Sequence, residues 1–136
     1  MALTAADVSV GDTRSLVLTD DLTRTQIVQY AGASGDYNPL HTDDLFTREV
    51  AGYPSVFAHG MLTMGMTGRV LTDWVGDGQL TRYGVRFVNQ VWPGDQLTAT
   101  ATVTAVDGDV VEFDVVTVNQ HDAPVVSGTA AARLHG

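Results

Sequence analysis

The stretch from Gly60 to about Val75 constrains the fold more than any other part of the chain. Met61, Leu62, Met64, Met66, Val70, Leu71, Trp74 and Val75 recur at helical spacing and cover nearly the whole circumference of a helix. A helix that is apolar all round is expected to be buried. Gly60, Gly65 and Gly68 lower its intrinsic helix propensity. Their presence implies that something packs closely against the helix backbone.

The residues that follow can supply the cover. Tyr83 to Val91 reads as a strand, turned by Pro93-Gly94-Asp95. Leu97, Ala99, Ala101 and Val103 alternate with threonines, the pattern of a half-buried strand. Asp107-Gly108 is a hairpin signal, and Val111, Phe113 and Val115 then alternate with Glu112 and Asp114. Asp122 to Pro124 turns the chain into a last strand from Val125 to Leu134. The expected architecture is α+β, with consecutive antiparallel strands curved around one buried helix.

Upstream of that helix, Asp12 to Thr19 reads as a short strand. Thr23 and Gln26 form a capping box for a helix carrying Ile27, Tyr30 and Ala31, which Gly32 and Gly35 end. Thr42 is the expected cap of a short acidic helix from Asp43 to about Val50.

A length of 136 residues with 44% hydrophobic and 17% charged side chains suits one folded domain spanning 1–136. Cysteine is absent, which excludes disulfides, thiolate catalysis and cysteine-ligated metals and fits a reducing cytoplasm. Met1 to Val10 contains Asp7 and no basic cluster leading into an apolar run, so no signal peptide is expected there. Thr63, Thr67, Arg69, Thr72 and Asp73 interrupt the apolar helix, which is therefore no membrane span. The net charge of −9 argues against nucleic-acid binding, and all seven basic residues are arginines. An anionic partner must then meet a local arginine.

The segment with chemical content is Tyr30-Ala-Gly-Ala-Ser34-Gly35-Asp36-Tyr37-Asn38-Pro39-Leu40-His41. An acid and a histidine lie five positions apart across a loop that Asn38-Pro39 stiffens. Taken singly, Asp36 reads as an Asx-turn residue or a helix cap, and His41 as a structural histidine. The histidines, His41, His59, His121 and His135, show no metal-ligand spacing, so neither a metal nor a cofactor is expected. His121 and His135 read as surface residues.

This segment resembles the signature of the (R)-specific enoyl-CoA hydratases of the MaoC-like, or hydratase 2, group. Ala58-His59-Gly60-Met61-Leu62-Thr63 is similar to the start of that group's central helix, and Val85-Arg86-Phe87 with Val91-Trp92-Pro93-Gly94-Asp95 to its next strand and turn. Tyr-Ala-Gly-x-Ser-Gly-Asp and Ala-His-Gly-Met-Leu-Thr-Met-Gly also resemble the mycobacterial (3R)-hydroxyacyl-ACP dehydratases. The resemblance runs from about Leu22 to Thr104. It implies a hotdog fold, a curved antiparallel sheet wrapped around a long central helix. It also implies that Asp36 and His41 are catalytic and that the Gly60 N–H stabilises the thioester oxygen.

The implied reaction is the reversible hydration of a trans-2-enoyl thioester to an (R)-3-hydroxyacyl thioester, a hydro-lyase activity without a redox cofactor. A carboxylate and an imidazole can share its proton transfers, and a helix N-terminal N–H can receive enolate charge. Asn38, His59, Met61 and Arg86 are candidate substrate-binding residues. Asn38 can contact the catalytic water or brace the loop, and His59 is also a helix-entry residue. Met61, Met64 and Met66 read as core packing that can also line an acyl tunnel. Arg86, with Arg82, can reach the anionic tail of a carrier or sit solvated on the surface. Some hydratases of the group carry a serine on the central helix where this chain has Gly68, with Thr63 and Thr67 nearby.

The expected substrate carrier is coenzyme A or an acyl carrier protein. The resemblance also implies oligomerisation, as a homodimer or as a heterodimer with a hotdog paralogue. The competing readings are a hotdog acyl-CoA thioesterase and a non-catalytic hotdog subunit. A thioesterase usually carries a carboxylate on or near its central helix, and this helix has none from Gly60 to Thr72. A non-catalytic half should have lost Asp36 or His41, and both are present.

Overall fold

A computed structural model describes residues 3–134. The strands are β1 (Thr13–Thr19), β2 (Leu80–Phe87), β3 (Leu97–Asp107), β4 (Val110–Val118) and β5 (Pro124–Arg133). The helices are α1 (Arg24–Ser34), α2 (Asp44–Glu49) and α3 (Gly60–Val75). The strands form one sheet in the order β1-β3-β4-β5-β2, and every neighbouring pair is antiparallel. β1 and β2 are the edges. This sheet wrapped on one long helix is the expected hotdog architecture.

The alternation read in the sequence decides which face turns inward. Leu97, Ala99, Ala101 and Val103 of β3, Val111, Phe113 and Val115 of β4, and Ala130 and Ala132 of β5 are buried. Val70, Leu71 and Val75 of α3 close the same core. The alanines matter geometrically, because short side chains in mid-sheet let a helix sit close to the concave face. Trp74 lays its ring edge against Phe113 at 5.3 Å. Each large apolar side chain buried in this way stabilises the fold by about 1.5–3 kcal/mol.

The structure corrects the expectation that α3 is buried all round. Thr63, Thr67, Val70, Leu71 and Val75 form its buried flank. Met61, Gly65, Arg69 and Asp73, spaced at one helix face, are exposed. A single curved sheet covers only one flank of a helix, and the opposite flank stays open. The buried threonines are satisfied: Thr67 and Thr117 share a hydroxyl hydrogen bond of 2.6 Å, and Thr63 donates to the Gly60 carbonyl at 2.7 Å. The close packing expected at the helix glycines occurs at two of the three. A Cβ at Gly60 would lie 2.9 Å from the Phe87 ring, and one at Gly68 would lie 3.3 Å from the Tyr83 ring. At Gly65 no other described part of the chain comes within 4 Å of an added Cβ.

Several boundaries also differ. Gly32 stays inside α1, and only Gly35, at φ 76°, ends it. Asp43, not Thr42, caps α2 by accepting the Phe46 N–H. β2 begins three residues before Tyr83 and ends at Phe87, so Val88 to Val91 lie outside the sheet. His135 lies outside the described residues.

Candidate active site

Gly35 releases the chain from α1 in a left-handed conformation that only a residue without a Cβ adopts freely. Two local bonds then shape the turn. Asp36 N–H donates to Ser34 Oγ at 3.2 Å, and Asn38 N–H donates to Asp36 Oδ1 at 3.3 Å. Asn38 Oδ1 accepts the Leu40 N–H at 3.0 Å and opens the short 3-10 turn Pro39–His41. Asp36 is thus an Asx-turn residue and still has its Oδ2 to offer.

The turn points His41 inward, leaving it 8% exposed. Its Nδ1 lies 2.6 Å from the Phe57 carbonyl oxygen. A carbonyl can only accept, so Nδ1 carries the proton and Nε2 of the neutral ring is a free base. Nε2 faces Asp36 Oδ2 at 4.0 Å. That is too long for a direct hydrogen bond and is a span that one water bridges.

The loop that supplies the Phe57 carbonyl is pinned on three sides. Phe57 N–H donates to Leu40 O at 3.2 Å, and Ala58 N–H to Val91 O at 2.8 Å. Val56 N–H donates to Asp44 Oδ1 at 3.0 Å, and Arg24 pairs with Asp44 Oδ2 at 2.8 Å. The Val56 amide first, and then Arg24, hold the Asp44 carboxyl below its ordinary range. Phe57 also meets the His41 ring edge-on at 5.4 Å and leans on Trp92 at 5.7 Å.

α3 begins one residue after His59. His59 occupies the N-cap position, but its side chain makes no capping hydrogen bond to the first amides of the helix. A cleft of about 220 Å³ opens at Gly60, lined also by Phe57, Ala58, Thr63, Phe87 and Val91. The amino end of a helix carries partial positive charge and suits a developing oxyanion.

The sequence profile of the MaoC like domain matches residues 6–124. This chain belongs to the MaoC-like family. It is similar to 3-hydroxyacyl-thioester dehydratase Y of Mycobacterium tuberculosis, 41% identical over 48% of this chain and 23% of the relative. It is also similar to enoyl-CoA hydratase ChsH3 of the same organism, 37% identical over 69% of this chain and 32% of that protein. The matched part of this MaoC-like chain covers only 23% and 32% of the length of those two relatives. Among solved structures, it superimposes on an (R)-hydratase from A. caviae involved in PHA biosynthesis with TM-score 0.83 and 27% identity, covering 94% of this chain and 98% of that one.

In this MaoC-like domain Asp36 and His41 lie together with His59, and Gly60 follows His59 at the start of α3. Met61 sits on the first turn of α3, 58% exposed, beside a shallow apolar depression shared with Tyr30 and Met66. Met66 packs against the core. Arg86 is elsewhere. Tyr83 and Phe87 of β2 turn toward α3, and Arg86 alternates outward into an open trough of about 720 Å³ on the sheet's other face. Arg82 makes an exposed ion pair with Glu112 at 3.3 Å. His121 is exposed.

Asp36, His41 and His59 each offer a ligand atom within 4.8 Å of the others, a convergence that their sequence spacing did not suggest. Tertiary folding brings them together across a gap of 17 residues between His41 and His59, which linear motif spacing cannot register. Sequence reading also missed the Phe57 carbonyl that sets the His41 tautomer and the Phe87 ring over Gly60. Backbone carbonyls carry no residue signature. Phe87 belonged to the strand that resembles the group, but nothing in the sequence marked its contact with Gly60.

Proposed function

We propose that this chain, as one hotdog domain, hydrates trans-2-enoyl thioesters and dehydrates (R)-3-hydroxyacyl thioesters. The observation that carries the reading is the facing pair of His41 Nε2 and Asp36 Oδ2, 4.0 Å apart and next to the amino end of α3. In the hydration direction one water is held between the two groups. Nε2 takes a proton from it as the oxygen bonds to C3 of the substrate. The electron pair of the C2=C3 bond moves to the thioester, and the negative charge on its oxygen faces the Gly60 N–H. C2 then receives a proton from the same pair, and the thioester carbonyl re-forms. Water is consumed whole, so the balance needs no redox partner.

Both named relatives, a hydroxyacyl-thioester dehydratase and an enoyl-CoA hydratase, support this class of substrate. The carrier is coenzyme A or an acyl carrier protein. Asn38 braces the loop through Leu40, exposed Met61 borders the place where the acyl thioester enters, and His59 lies buried behind His41. The assembly we propose is a homodimer joined along β2, with a heterodimer of hotdog paralogues as its variant. β2 is a sheet edge whose free backbone groups invite pairing, and the neighbouring Phe87 and Val88 are 52% and 48% exposed. Among the described residues no helix is long and apolar enough to cross a membrane. A chain without cysteine suits the reducing cytoplasm, where we place it.

The test is hydration of a panel of enoyl-CoA thioesters by wild type, Asp36→Asn and His41→Ala. Each substitution is expected to lower turnover by about 100-fold or more, the scale of a lost acid–base group. Near-normal turnover in both variants refutes the assignment. Release of free thiol from acyl-CoA without hydration indicates a thioesterase instead.

A further inference from the structure

We propose that His59 is a positioning residue that holds the Asp36 loop, the His41 ring and the Gly60 amide in one fixed arrangement. The proposal rests on the reaction site described above. Helix N-caps are usually short polar residues whose side chains bond the first helix amides. His59 stands at that position and does something else. Its Nε2–H donates to the backbone carbonyl of Asp36 at 3.0 Å. Its ring stacks on His41 with centroids 3.8 Å apart and planes 23° from parallel. Tyr30 of α1 meets its other neighbourhood edge-on at 4.8 Å. Gly60 follows it in the chain. One side chain therefore touches the acid's loop and the base's ring from the residue that precedes the oxyanion amide.

The protonation state follows from the surroundings. His59 is 2% exposed, and Nδ1 is buried without a hydrogen-bond partner among the described residues. Because the carbonyl fixes the proton on Nε2, Nδ1 is a bare lone pair. A second proton would be buried without an acceptor and would place a cation against His41. The titratable groups facing the ring are Asp36, His41 and Tyr30. Burial, the largest influence, pushes the pKa of His59 down. The ring under His41 thus stays neutral while His41 gains and loses its proton.

A purely structural role does not explain the choice of residue. Phenylalanine would fill the same space and stack on His41 without an orphaned nitrogen. Imidazole adds one thing, a donor aimed at the Asp36 carbonyl. That bond fixes the acid's main chain relative to the start of α3.

The test compares His59→Phe, which keeps a ring and loses the donor, with His59→Gln, which keeps a donor and loses the ring. Crotonyl-CoA hydration is measured for each, with a thermal melt as control, and both changes are repeated in the Asp36→Asn background. His59→Phe is expected to lower kcat by about 10- to 100-fold, the scale of a misplaced catalytic group, with KM within about threefold of wild type. His59→Gln is expected to recover at least about fivefold of that loss. If His59 acts through Asp36, His59→Phe costs less than about threefold once Asp36 is already Asn. His59→Met replaces Phe in the comparison if the Phe chain melts early. A His59→Phe kcat within about twofold of wild type, with Asp36→Asn still impaired, overturns this proposal alone. An equal loss in both backgrounds also overturns it, because it marks a general structural effect. Near-normal turnover in Asp36→Asn overturns the reaction site and this proposal together.

Discussion

Asp36 and His41 face each other with unequal exposure, the carboxylate side chain 53% exposed and the imidazole 10%. The buried partner is the one with a fixed tautomer, because Phe57 O holds its Nδ1 proton. The exposed partner is the one through which water can enter. Neither group reaches the other directly, and the proposed reaction places one water between them.

Residues that hold one water act as a unit, and their losses should not multiply. The double variant Asp36→Asn/His41→Ala is expected to turn over enoyl-CoA no more than about tenfold slower than the worse single variant. Full multiplication of the two losses, measured in the same hydration assay, would show that the groups work independently.

The buried hydroxyl pair of Thr67 and Thr117 ties α3 to β4. Thr67→Val leaves Thr117 Oγ1 buried without its partner, at a cost of about 1–3 kcal/mol. Thr67→Val/Thr117→Val removes both polar groups and should be less destabilised than the sum of the single changes. Urea unfolding of the four chains of this cycle measures the difference.

Tyr83 donates to the Met64 carbonyl at 2.6 Å, and burial pushes its phenol up to about 12 from 10.0. Between those values the unfolded chain releases the proton and the folded chain keeps it. Stability should therefore be unaffected by this group below pH 10.0 and fall as pH rises toward about 12. Tyr83→Phe removes the group, and its loss of stability over that window should be shallower. Parallel unfolding curves for the two chains from neutral to strongly alkaline pH would count against this.

The ring of Phe87 occupies the space a side chain at position 60 would need, 2.9 Å from an added Cβ. Gly60→Ala keeps the backbone N–H but displaces the ring into the cleft. A loss of about tenfold in kcat/KM is expected, equivalent to about 1.4 kcal/mol. Phe87→Ala in the same chain should recover most of it. No recovery would mean that the methyl group acts on the amide itself and not through the ring.

The local code of this chain determined a good deal. Helical period and flanking glycines define α3 from Gly60 to Val75, and alternation around Leu97, Val111 and Val125 defines the strands that face it. The pairing of Asp36 with His41 was also legible, because a rigid loop of few residues leaves little freedom between them. Other matters awaited the tertiary structure. The open flank of α3, the outward face given to Arg86 and the stacking of His59 on His41 depend on where distant segments meet. The reason is that period and capping record contacts within a few residues of each other. The decisive partners of both histidines are the backbone carbonyls of Phe57 and Asp36, atoms that every residue carries and that no sequence pattern distinguishes.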